Sequence, residues 1–196
     1  MAKKNRNADE FAAKAQILSK LQQAAEQHAC QLIYFDEVSF AASPPVQRGW
    51  SPVGQPHGVL PQPHCRRCVL GALDFTTHQL HHQVYKSPIQ RPTVVQFLDQ
   101  LAHRAGPPEQ LKVVVLDNAK MHHDIDPNTL HRWLVDHRMV LFYLPAYSPE
   151  LNLIEILWKH AKYHWRRFVT WTQQTIETEI TRLFADYGTK FKISFS

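Results

Sequence analysis

The run Leu111–Leu116, LKVVVL, constrains the fold more than any other stretch of the chain. Three consecutive β-branched valines between leucines, with Lys112 the lone charge, are the signature of a strand buried on both faces. Such a strand belongs in the middle of a sheet with helices over it. The parts for that arrangement are present. Gln31–Phe35 (QLIYF) is a second compact apolar run and Val140–Leu144 (VLFYL) a third, stopped by Pro145. Cys68–Phe75 and Gln79–Tyr85, separated by Thr76-Thr77-His78, read as a hairpin. Apolar residues at three- and four-residue steps predict helices from about Ala8 to Ala29, from Pro92 to about His103, and from Thr172 to Ala185. Asp126-Pro127 opens another, with Leu130, Trp133, Leu134 and His137 on its expected inner face. Residues 41–63, rich in Pro and Gly, read as a long excursion with one short strand.

Two of the apolar runs end in acids. Gln31–Phe35 leads into Asp36-Glu37, and Leu111–Leu116 into Asp117-Asn118. Because both acids leave their strands at the same end, the two strands are expected side by side and parallel in a mixed sheet, with the hairpin at residues 68–85 extending one edge antiparallel. A third acid, Glu155, opens the last well-patterned helix. With Asn152 as N-cap, Glu155 is the N3 residue, where the helix dipole favours an ionised carboxylate. Along that helix Ile154, Leu157, Trp158, Ala161, Trp165 and Phe168 form an apolar face, and Glu155, Lys159, Lys162 and Arg166 form a parallel charged stripe. Three carboxylates converging at one sheet edge are what a pair of hard cations needs, since Mg²⁺ takes oxygen ligands and keeps several waters. A metal pair so held serves phosphoryl transfer, which is mostly positioning and charge stabilisation.

Composition narrows the setting. The 196 residues suit one domain with a sizeable core, and a net charge of +5 with a pI near 9.2 admits a polyanionic partner. Cys30, Cys65 and Cys68 are an odd count, and neither a signal peptide nor a long apolar span precedes them. The expected location is cytoplasmic, with no membrane partner. His64-Cys65-Arg66-Arg67-Cys68 holds one CxxC, whereas a structural zinc site needs a second pair of ligands. His78, His81 and His82 are nearby candidates, and whether Cys65 and Cys68 bind zinc stays open. Trp133, Trp158 and Trp165 fall on apolar helix faces and read as core, whereas Trp50, in a loop beside Arg48, is the better base-stacking candidate.

Phe35-Asp36-Glu37, Leu116-Asp117-Asn118-Ala119 followed by His122, and Ser148-Pro149-Glu150-Leu151-Asn152-Leu153-Ile154-Glu155 with Leu157-Trp158 resemble the catalytic blocks of mariner-like and insertion-sequence-630-type transposases, within the DDE superfamily endonucleases. Arg48-Gly49-Trp50-Ser51-Pro52-Val53-Gly54 is similar to the segment that follows the first acid there. The resemblance runs from about residue 31 to 168. It implies an α/β fold, an RNase H-like mixed five-stranded sheet flanked by helices, over residues 31–187, between a basic lead-in and helix at 1–30 and a tail at 188–196. It further implies an Asp36, Asp117, Glu155 triad holding two Mg²⁺ or Mn²⁺ ions, with Asn118 and His122 in support. The expected activity is cleavage and strand transfer at transposon ends. Arg48, Trp50, Lys159, Lys162 and Arg166 are the expected DNA contacts.

The chain departs from that pattern twice. Leu153 stands where the family usually has proline, which loosens a helix start without removing a ligand. No helix-turn-helix modules precede the first strand, so the chain is expected to be a catalytic half whose partners are transposon-end and target DNA and a helix-turn-helix half encoded upstream. A second copy of the chain is a further candidate partner. The competing readings are an RNase H-like nuclease of hybrids or junctions, and a catalytically silent remnant that binds DNA.

Overall fold

Five strands form one sheet in the computed structural model, which describes residues 6–43, 50–55, 65–104, 110–165, 172–189 and 193. In chain order they are β1 (Cys30–Ala41), β2 (Arg66–Asp74), β3 (Leu80–Tyr85), β4 (Leu111–Leu116) and β5 (Met139–Tyr143). The helices are α1 (Ala8–Glu26), α2 (Arg91–His103), α3 (Pro127–His137), α4 (Ile154–Trp165) and α5 (Ile176–Ala185). Strand order is β3-β2-β1-β4-β5. Both β1 with β4 and β4 with β5 pair in parallel. The backbone bonds Phe75 N–H to Leu32 O (2.9 Å) and Ala42 N–H to Cys65 O (2.8 Å) run β2 antiparallel to β1. The sheet is therefore mixed, with the hairpin at one edge, as its sequence predicts. The LKVVVL run is central: Val113, Val114, Val115 and Leu116 are all buried.

The chain divides into two compact units. One comprises Met1–Glu37, Leu70–His82 and Ile89–Glu155, and the other Val38–Val69, Gln83–Pro88 and Ile156–Ser196. The first buries Leu32, Tyr34, Phe35 and Val113–Leu116 of the sheet with Val94, Phe97, Leu98 and Leu101 of α2. Two of its helices start at side-chain caps. The Asn7 side chain accepts the N–H groups of Asp9 (3.0 Å) and Glu10 (3.1 Å), and Asp126 accepts that of Thr129 (3.0 Å) ahead of Pro127. In the hairpin, Asp74 Oδ1 accepts from both Thr76 and Thr77 N–H and so shapes the turn. The second unit is an aromatic cluster. The Phe40 ring meets Trp165 (5.2 Å) and Phe184 (5.9 Å) edge-on, and Trp158 meets Phe184 (5.9 Å).

Three expectations need correction. β1 does not stop before Asp36 but continues to Ala41, because Val38, Phe40 and the exposed Ser39 extend the in-out alternation past the acids. In α3 only Trp133 is buried; Leu130 and Leu134 are 38% and 47% exposed and His137 is half-buried, so the expected inner face narrows to one residue anchored by its Nε1–H to Asp99 (3.0 Å). The last helix begins at Ile176 rather than Thr172, because Thr172 and Thr175 bond each other's backbone N–H in a local turn. No described helix is long and apolar enough to cross a membrane. The short strand expected within 41–63 falls largely outside the described residues.

Candidate functional site

Parallel register carries the first two acids toward the same region. Cys30–Tyr34 of β1 pair in parallel with Leu111–Val115 of β4; Asp36 follows that paired stretch within β1 and Asp117 follows it just past the end of β4. The two are near enough for the charge of Asp117 to act on Asp36, though less than those of Glu37 and Glu155. Asp36 is 7% exposed within β1, while Asp117 begins the loop after β4.

That loop folds back on itself. The Asp117 Oδ1 atom accepts the Ala119 N–H (3.0 Å), a single turn at Lys120–His122 follows, and His122 returns with its Nδ1 2.7 Å from the same Oδ1. The other ring nitrogen, Nε2, is 3.3 Å from Glu37 Oε2, close enough for an ion pair but not aligned as a hydrogen bond. His122 is wholly buried, its ring edge-on to Phe35 (5.4 Å) and its carbonyl held by the Tyr143 hydroxyl (2.7 Å). Both nitrogens face carboxylates, so both are best served carrying protons. Burial works against that charge, but the close contacts and negative charges of Asp117 and Glu37 outweigh it and raise the imidazole from 6.5 to about 10.

The acids respond in opposite directions. At Asp117 burial opposes ionisation, yet the His122 bond, the Ala119 N–H and the neighbouring imidazoles prevail and hold its carboxyl below the usual range. Asp36 is pushed well above it, first by burial and then by the charges of Glu37, Glu155 and Asp117, with only the Glu37 backbone N–H acting the other way. Glu155 is exposed in the first turn of α4 and near enough for its charge to act on Asp36.

What brings Glu155 there is Asn152, in a role its position did not suggest. Rather than capping α4, Asn152 is 2% exposed and donates from Nδ2 to the carbonyl of Phe35 (3.1 Å), the residue before Asp36, while its Oδ1 has no hydrogen-bond partner among the described residues. The helix starts at Ile154, so Glu155 lies one position nearer its N-terminus than expected. Glu37 is the other residue whose role its position did not suggest. Both lie in the blocks that carry the family resemblance, but neither position on its own signals the partner it takes up.

Asn118 is exposed and bonds His123, whose ring stacks on Tyr143 (4.7 Å). Lys159 and Lys162 are exposed on α4, and Trp50 is fully exposed; Arg48 and Arg166 lie outside the described residues. All three cysteines are free, Cys68 lying 3.4 Å from Ser39 Oγ and Cys65 accepting from Arg67. Among the described residues no three His, Cys, Asp or Glu side chains are gathered closely enough, as they stand, to hold a metal ion. The donor chemistry nonetheless suits a hard divalent cation: oxygen ligands only, with a buried carboxylate driven upward by like charges that a cation would neutralise.

Residues 31–176 match the family model described as DDE superfamily endonuclease. Among curated proteins no sequence matches. The fold is similar to that of the crystal structure of the Mos1 mariner paired end complex with Mn, at a TM-score of 0.64 and 16% identity over 91% of this chain and 56% of that one. The corresponding complex with Mg gives 0.64 and 15% over 92% and 56%. The Mos1 strand transfer complex gives 0.61 and 15% over 91% and 55%. The mixed five-stranded sheet flanked by helices is thus the RNase H-like fold of those structures, and the chain spans a little over half the length of the solved chains it matches.

Proposed function

The chain belongs to the DDE superfamily endonuclease family, and from that premise we propose that it is the catalytic domain of a mariner- or insertion-sequence-630-type transposase. In this reading it cleaves a phosphodiester at a transposon end and joins the 3′-hydroxyl to target DNA. The observation that supports the reading is that the charges of both Asp117 and Glu155 act on the buried Asp36, which follows the stretch of β1 paired in parallel with β4. DNA-recognition modules of the helix-turn-helix kind, outside these 196 residues, and a second copy of the chain are its partners in a cytoplasmic setting.

Asp36, Asp117 and Glu155 would hold two divalent ions, Mg²⁺ or Mn²⁺, which when bound supply Lewis acidity for activating water and for stabilising the leaving oxygen. The chain's own part is placement. Asp36 rides on a central strand that cannot shift without disturbing the sheet. Asp117 is turned by its bonds to the Ala119 N–H and to His122, which leaves Oδ2 without a hydrogen bond among the described residues. Asn152 ties the start of α4 to β1, so Glu155 arrives on a fixed support while keeping its own exposure. Lys159 and Lys162, one and two turns further along the same stripe, would meet the phosphate backbone, with Trp50 available for stacking.

The test is nicking of a labelled transposon end, with recognition modules supplied, in Mg²⁺, Mn²⁺ and EDTA. Nicking that needs the metal and is lost in Asp36→Asn, Asp117→Asn and Glu155→Gln supports the reading. Metal-independent binding of DNA with no nicking would replace it with the silent-remnant alternative.

A further inference from the structure

Glu37 is absent from the triad, yet its carboxylate is committed to the same group of residues. We propose that Glu37 is a positioning residue: acting through His122, it fixes the orientation of the Asp117 carboxylate and thereby the affinity of the site for a divalent cation. The inference rests on the reading of Asp117 as a metal ligand.

The geometry is a three-part chain. His122 is wholly buried and touches one carboxylate with each ring nitrogen, Asp117 Oδ1 at 2.7 Å from Nδ1 and Glu37 Oε2 at 3.3 Å from Nε2. Oδ1 of Asp117 is thereby committed to two donors, the Ala119 N–H and the imidazole, and this leaves Oδ2 as the oxygen presented to a ligand. An imidazole held only at Nδ1 would place its second N–H in an apolar pocket against Phe35 with no counter-charge. Glu37 Oε2 supplies that counter-charge as an ion pair at 3.3 Å, and the same oxygen is buried with no hydrogen-bond partner among the described residues. Each carboxylate therefore depends on the other through one ring. Carboxylate–histidine pairs behind a metal ligand fix its orientation, and their loss typically weakens metal binding 10–100-fold.

Mn²⁺ binding to the 196-residue chain, measured by calorimetry and by the paramagnetic signal of free Mn²⁺, tests this without relying on turnover. Wild type and Asp117→Asn come first: if wild type fails to bind Mn²⁺, or Asp117→Asn binds as well as wild type, the ligand assignment itself falls, and the Glu37 proposal with it. Given that assignment, Glu37→Gln is expected to weaken Mn²⁺ binding by at least about tenfold, with an unchanged circular dichroism spectrum. His122→Gln should do the same. The double variant should be no worse than His122→Gln alone, because Glu37 acts only through that ring. Glu37→Asp, which keeps the charge but withdraws it by one methylene, should fall between wild type and Glu37→Gln even if the amide variant folds poorly. In a nicking assay Glu37→Gln should lower kcat and leave KM for DNA unchanged. Wild-type affinity in Glu37→Gln, or losses that add in the double variant as expected if Glu37 were itself a ligand, would overturn the proposal.

Discussion

His122→Gln is the substitution whose energetic consequence the structure specifies most closely. The imidazole sits wholly buried between Asp117 and Glu37, and their attraction moves it from 6.5 to about 10. At 1.36 kcal/mol per pH unit that range corresponds to roughly 5 kcal/mol. The lowered carboxyl of Asp117 is the same interaction seen from its other end, so the two are not added. Breaking one side of a buried ion pair typically costs 3–5 kcal/mol; because the Asp117 and Glu37 side chains are 46% and 27% exposed, the low end, about 3 kcal/mol, is the loss expected here at pH 6.5. The sign follows from linkage. Because the folded state keeps a proton that the unfolded chain releases near 6.5, the contribution is complete below that pH and declines as pH rises toward 10. Wild type should lose about 3 kcal/mol between pH 6.5 and 9, and His122→Gln should lack that slope. Urea unfolding in EDTA, followed by circular dichroism at pH 6.5, 8 and 9, measures both. A variant within about 1 kcal/mol of wild type at pH 6.5, well short of the expected pair energy, or a wild-type profile flat across the range, would refute the reasoning.

Asp36→Asn should leave the metal-free protein as stable as wild type or more so at pH 7, since the carboxyl is held above its ordinary range. The wild type should lose that part of its stability as pH rises from the unfolded value toward the raised one, a dependence the amide abolishes; thermal melts at pH 4 and 7 would show it. Trp133→Ala should cost about 3–5 kcal/mol in urea unfolding, whereas Leu134→Lys, at a position 47% exposed, should change stability by less than about 0.5 kcal/mol. Replacing Lys159 and Lys162 together with alanine should lower the log–log salt slope of duplex binding by about two, close to one unit for each phosphate no longer neutralised. An unchanged slope by fluorescence anisotropy would make them ordinary solvated charges.

The fold was legible because its strongest signals are local. LKVVVL has no stable place except an interior strand, and Gln31–Phe35 and Val140–Leu144 are compact apolar runs, the second ended by Pro145. The parallel pairing of the two strands that lead to Asp36 and Asp117 could be expected because both runs are apolar and lead into acids, although β1 continues past Asp36 to Ala41. The details that position the site were not legible, since they depend on partners distant in sequence. Asn152 resembles a cap locally and becomes an anchor only once Phe35 O lies within 3.1 Å, 117 residues away. Glu37 acquires a role only when the loop after Asp117 returns His122 to it. The apolar periodicity of α3 overstated its buried face because pattern records which residues can be covered, and here only Trp133 is.

The central claim is that Asp36 and Asp117 are two oxygens' worth of one divalent-metal site, and anomalous diffraction from crystals soaked in Mn²⁺ examines it without reference to turnover. An anomalous peak shared by the Asp36 and Asp117 carboxylates at ~2.0–2.2 Å is expected, joined by Glu155 when a DNA end is present and absent from Asp36→Asn crystals. Peaks confined to other parts of the surface, with Asp36 and Asp117 unliganded at saturating Mn²⁺, would contradict it.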